Sequence, residues 1–189
     1  MLLKEKKNEN NNTEIYFHIY FYKYLSCFKN KDCWNCKRFF GPWIFEDRED
    51  LIKFFGNHNL NAYIYAPKDE LYHRNKWHEP YPEDKIIELK NLIILPKENK
   101  VRFIFAVSPE IDLNYNGDQG EEDFKILITK LHSIYEIGCR DFAIFFDDIN
   151  ANINSGKNQA IFLNILYEGL KQKYNNKIKS VITIPTLFS

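Results

Sequence analysis

Cysteine is scarce in this chain, net charge is absent, and the longest aromatic run is too short for a membrane span. Each shortage removes a class of function. Four cysteines (Cys27, Cys33, Cys36 and Cys139) among 189 residues are too few to staple a disulfide scaffold. Cys33-Trp34-Asn35-Cys36 has no second CxxC pair, so a zinc site would have to recruit Cys27 and His18; incidental thiols, and no metal, are the simpler expectation. Twenty-six basic side chains balance 26 acidic ones, which leaves nothing to advertise a nucleic-acid partner. Residues 15–28 are densely aromatic, but His18 and Lys23 interrupt them, and the run falls short of the ~20 apolar residues a membrane helix needs. Glu5 and Glu9 spoil the basic region of a secretory leader, and no small residues mark a cleavage position. Compartment and oligomeric state stay open.

What is present indicates a folded domain. Apolar residues make up 44% of the chain and aromatic residues 16%, and the length fits one domain with a sizeable core. Residues 1–12 are rich in Lys, Glu and Asn and read as disordered, so residues 1–36 are expected to be an extension apart from a domain at 37–189. From residue 39 the pattern becomes regular. Strands are expected at 61–67, 101–107, 141–146 and 180–184, and helices at 47–57, 83–95, 121–137 and 155–174. Pro96 is expected to end the second helix, and Gly138 to cap the third. Buried strands alternating with amphipathic helices predict an α/β fold with a parallel sheet.

Chemistry in a (β/α) barrel collects where strands end, and so do polar residues here. Lys68 and Asp69 follow the first expected strand, Ser108 and Asp112 the second, Asp147 and Asp148 the third, and Thr186 the fourth. Solvation of loops explains each one singly; their shared location is harder to dismiss. Two adjacent carboxylates cannot both ionise freely, so one pKa rises and the other falls. Paired-acid chemistry on a glycosidic bond needs that splitting, while an Asp pair that merely caps the following helix remains the plainer alternative.

The stretch 63–69 (Tyr63-Ile64-Tyr65-Ala66-Pro67-Lys68-Asp69), with Tyr72-His73-Arg74, Trp77 and Glu79-Pro80-Tyr81-Pro82, resembles glycoside hydrolase family 84. That family comprises the O-GlcNAcases and the bacterial β-N-acetylglucosaminidases once named hyaluronidases. The resemblance continues through Ser108-Pro109, Ile111-Asp112, Gly117-Asp118, Gly120-Glu121-Glu122-Asp123-Phe124 and Asp147-Asp148-Ile149 to Pro185-Thr186. It implies a (β/α)8 TIM barrel, of which this chain would supply about five βα units. It also implies a retaining hydrolase of terminal β-linked GlcNAc whose nucleophile is the substrate's own 2-acetamido oxygen, giving an oxazoline. By motif position Asp147 would orient the acetamido N–H, and Asp148 would serve as acid and then base. Lys68 and Asp69 would bind the sugar. No cofactor is implied, and the partner would be a GlcNAc-bearing glycan or glycoprotein.

Departures accompany the likeness. The family opens with Glu-Gly-Phe-Tyr-Gly-x-Pro-Trp, whereas this chain has Lys37-Arg38-Phe39-Phe40-Gly41-Pro42-Trp43, with Arg38 where a Gly lies against the sugar. Glu110 replaces a Gly, and Leu187-Phe188 replaces Glu-Tyr. These features keep a second reading open: a truncated or degenerate non-catalytic remnant, or a carbohydrate-binding pseudoenzyme. The expectation is that these 189 residues alone do not complete a working hydrolase.

Overall fold

The computed structural model describes residues 44–67, 69–109, 112–146 and 155–184. Several expectations lie outside the described residues: the 1–36 extension, the zinc candidates Cys27, Cys33, Cys36 and His18, the opening at 37–43, and Glu110. The same holds for Lys68, Asp147, Asp148, Thr186 and Leu187-Phe188.

Among the described residues four long helices alternate with four strands, a helix coming first. They comprise α1 (Phe45–Asn57), β1 (Ala62–Tyr65), α2 (Glu83–Glu98), β2 (Arg102–Val107), α3 (Gly117–Glu136), β3 (Asp141–Phe145), α4 (Ser155–Lys173) and β4 (Ser180–Ile184). A short 3₁₀ turn, Leu71–His73, follows β1. The strands form one parallel sheet in the order β1-β2-β3-β4. Sequential order with parallel pairing is the winding of a (β/α)8 barrel, in which every crossover helix lies on the same side.

Strand alternation divides the sheet's side chains between two environments. Tyr63, Tyr65, Phe103, Phe105, Val107, Phe142, Ile144 and Phe146 join the main core, together with Ile52 of α1, Leu92 and Ile93 of α2, Leu127, Leu131 and Ile134 of α3, and Leu166 and Leu170 of α4. Burial of each such aliphatic side chain contributes about 1.5–3 kcal/mol. The opposite face carries smaller side chains: Ala62, Ile104, Ala106 and Ala143 form a separate buried cluster, with Ile64, Ala66, Phe145 and Ile182 packed against it. At the N-terminal end of that second face Arg102 pairs with the buried Asp141, and Ser180 Oγ donates to Asp141 Oδ1 at 2.8 Å. Three neighbouring strands are tied by this one carboxylate.

The helix boundaries correct two expectations. Pro96 does not end α2 but sits inside its last turn, and the helix runs on to Glu98. Proline forfeits one donor there, and Asn99 covers the exposed end by donating from its backbone and its side chain to Leu95 O, at 3.2 and 2.9 Å. Pro96 is itself buried in the core layer, so packing outweighs the lost bond. Helix α3 starts at Gly117, four residues ahead of the expected 121. Gly120 permits this, because a Cβ there would lie 2.8 Å from the Tyr115 carbonyl carbon. Gly138 caps α3 as expected, with φ +114°, and its N–H reaches Tyr135 O at 2.9 Å while that of Cys139 reaches Ile134 O at 3.2 Å. These two bonds make a Schellman motif. Among the described residues no helix is long and apolar enough to cross a membrane.

Candidate active site

All four strands run parallel, so their C-terminal ends emerge along one edge of the sheet, and the segments that leave this edge are held by a polar framework. The loop from β1 to α2 is the most heavily tied. Glu70 accepts from Tyr72 N at 2.9 Å and from Tyr81 Oη at 2.7 Å. Lys130, reaching across from α3, donates to Tyr72 O at 2.7 Å and lies 4.6 Å from the Tyr81 ring centre. Tyr72 is therefore fixed at both its amide and its carbonyl. Lys130 is only 4% exposed, and burial pushes its pKa down to about 8, although Glu70 and Glu79 oppose the shift. Burial beside Glu70 likewise pushes the Tyr81 phenol far above its ordinary range.

His73 straps the same loop to β2. Its Nδ1 lies 2.6 Å from Ala106 O, and Ser108 N donates to His73 O at 3.0 Å. A carbonyl can only accept, so His73 Nδ1 is the donor in this contact. Trp77 is fully buried and donates from Nε1 to Asp112 Oδ1 at 2.8 Å, while His78 Nε2 approaches Asp112 Oδ2 at 3.2 Å. Further along, Asp123 accepts from Asn114 N at 2.8 Å, Asn114 Nδ2 at 3.0 Å and Gln119 Nε2 at 2.9 Å. The His73 and Trp77 contacts tie the loop after β1 to β2 and to the loop after β2, while the Asp123 contacts hold the loop after β2 to the first turns of its own helix, α3.

Sequence-expected site residues fall into three groups. Asp69 is exposed just past β1, within electrostatic reach of Arg48, whose guanidinium donates to Tyr63 Oη at 3.2 Å and lies 5.3 Å from the Tyr65 ring centre. Burial works against the Arg48 charge, but Tyr63, Tyr65 and Asp69 outweigh it and raise its pKa. Ser108 and Asp112 share the same edge after β2. Ser108 contradicts loop solvation, because it is 2% exposed. Lys68, Asp147 and Asp148 are outside the described residues; Asp147 follows Phe146 directly in the chain.

Sequence reasoning missed Glu70, Lys130 and Asp123 as framework residues. A signal for Lys130 did exist, since it lies three residues after Leu127 and four before Ile134, on the stripe that faces the core. Among the described residues no cluster of His, Cys, Asp and Glu could hold a metal. The Cys139 thiol is buried, and burial pushes its pKa up to about 11.

The sequence and the fold match known proteins. The NAGidase family (beta-N-acetylglucosaminidase) matches residues 37–189. The Protein O-GlcNAcases of Rattus norvegicus and Mus musculus are each 36% identical over 122 residues, or 64% of this chain and 13% of the relative. The chain thus spans about an eighth of the length of these curated relatives. The solved structure of CpGH84B superposes with a TM-score of 0.72 at 45% identity, covering 79% of this chain and 26% of that one. A mutant of the Thermobaculum terrenum O-GlcNAc hydrolase gives a TM-score of 0.69 at 33% identity, covering 78% of this chain and 33% of that one. With the family matching over four fifths of its length and the sheet superposing on solved members, this chain belongs to the β-N-acetylglucosaminidases of glycoside hydrolase family 84.

Proposed function

We propose that the chain carries the acid-pair portion of a β-N-acetylglucosaminidase that removes terminal β-linked GlcNAc from a glycan or glycoprotein. The acetamido oxygen of the substrate attacks its own anomeric carbon, the glycosidic bond breaks with retention through an oxazoline, and water reopens the ring. Asp147 holds and polarises the acetamido N–H. Asp148 donates its proton to the departing oxygen and then takes one from water. Lys68 and Asp69 bind the sugar from the end of β1.

The observation that supports this reading best is the parallel sheet itself. β3 ends at Phe145, two residues ahead of Asp147 in the sequence, on the edge where loops from β1 and β2 are tied by Lys130, His73 and Trp77. Preorganised loops at such an edge suit a reaction with a developing oxocarbenium charge. The test is turnover of methylumbelliferyl N-acetylglucosaminide by this chain joined to the remaining barrel strands of a family relative, beside the Asp148→Asn variant of the same protein. Turnover lost by at least about a hundredfold in the variant, the range of general-acid contributions, supports the assignment. Equal rates in the two proteins overturn it.

A further inference from the structure

Ser108 combines burial, orientation and an unused donor in a way that its structural contacts do not explain. It lies just past the C-terminal end of β2 and is 2% exposed. Its backbone N–H is occupied by His73 O, yet its hydroxyl has no hydrogen-bond partner among the described residues. A buried hydroxyl left unpaired is destabilising, and native structures hold few of them.

Its surroundings indicate what the hydroxyl serves. Strand alternation puts Ser108 on the side of Ile104 and Ala106, away from the helices that cover Phe105 and Val107. That side carries Ala66, Ala106 and Ala143 beside the larger Ile104, Ile182 and Phe145, and among the described residues it offers the hydroxyl no polar partner. Pairing of Val107 with Ile144 sets Ser108 level with Phe145, two residues before Asp147. An apolar side chain of similar size would satisfy packing there without any desolvation cost.

We propose that Ser108 is a binding residue of the sugar site, its hydroxyl donating to a hydroxyl or acetamido oxygen of the bound N-acetylglucosamine unit. The inference rests on the proposed function and deepens it by naming a donor at the end of the second described strand. Its energetic signature is a donor whose partner arrives with the ligand, so stability and affinity must respond in opposite directions to its removal.

The experiment measures thermal unfolding without ligand, and calorimetric binding of a GlcNAc-derived thiazoline, for the protein and its Ser108→Ala variant. The ligand-free variant should melt higher by roughly 2–4 °C, the shift expected for a chain of this size when one unpaired polar group is removed. Its affinity for the thiazoline should nevertheless fall about tenfold, the worth of one neutral hydrogen bond. Ser108→Cys puts a somewhat larger thiol, a weaker donor, in the same place, so it should lose affinity likewise; it decides the matter if Ser108→Ala fails to fold. A lower melting temperature for folded Ser108→Ala overturns the proposal, because it means that the hydroxyl already had a partner. Unchanged affinity in the variants, with binding by the parent protein, overturns the role of Ser108 alone. A parent protein that binds no thiazoline overturns the proposed function and this inference together.

Discussion

Lys130 illustrates how a single side chain can carry charge at a cost in order to fix a loop. Its amine is held by Tyr72 O and the Tyr81 ring, and burial brings its pKa down to about 8. In the unfolded chain the same lysine titrates near its ordinary ~10.4. Between those two values the unfolded state binds more protons than the folded one, so the contribution of Lys130 to stability rises with pH through that window and is lost as pH falls through about 8. Other groups act in the opposite sense, since burial raises the pKa values of Cys139 and Tyr81. The informative quantity is therefore the difference between the protein and Lys130→Met. Urea unfolding at several pH values from 7 to 10.5 should show that difference moving in favour of the lysine protein by about 2–3 kcal/mol. A difference that stays flat over the window would show that Lys130 is solvated in the native state. None of this was readable from the helical pattern beyond the fact that a lysine stands on an apolar stripe, because the partner carbonyl is 58 residues away.

At the scale of elements, glycines mark where chain direction and close approach decide the outcome. Gly138 and Gly120 fail in different ways when given a side chain. Gly138 has φ +114°, but a Cβ there would meet only Lys97 Nζ at 3.4 Å and Ile93 Cγ2 at 3.5 Å, ordinary contacts. Gly138→Ala should therefore cost about 1–2 kcal/mol from backbone strain alone. Gly120 has no such strain, yet its Cβ would lie 2.8 Å from backbone at Tyr115. Gly120→Ala must displace the entry to α3, and with it the bonds from Asn114 to Asp123. A larger loss of about 2–4 kcal/mol is expected, in the range of overpacking combined with broken polar contacts. Chemical denaturation of both variants checks the order; Gly138→Ala as the more damaging change would contradict it. The Gly138 cap was legible from composition, because a glycine after a periodic run is a local signal. The early start of α3 and the persistence of α2 through Pro96 were not, since both depend on what packs against the helix.

For the molecule as a whole, the reaction assigned to the strand ends makes a prediction that separates the two carboxylates. Protonation of the leaving oxygen matters most for poor leaving groups, whereas orientation of the acetamide matters whatever departs. In the chain joined to the remaining barrel strands of a family relative, Asp148→Asn should then spare a dinitrophenyl glycoside relative to a methylumbelliferyl one, and Asp147→Asn should impair both alike. Parallel losses in the two variants across both substrates would refute the division of roles. Sequence by itself determined the winding of this protein. Apolar strands at 62, 102, 141 and 180 alternate with amphipathic helices, and that rhythm specifies a parallel sheet because hydrophobic periodicity is a local property of the chain. The residue types at the strand ends, with the family likeness they carry, were equally plain. What only the tertiary structure decided is which polar side chains are framework and which are left over. Glu70, His73, Trp77 and Lys130 are consumed in joining loops, and the Ser108 hydroxyl is not. Hydrogen bonds across 33, 35 and 58 residues leave no periodic trace, so partners of this kind exist only once the sheet has brought its strand ends to one edge.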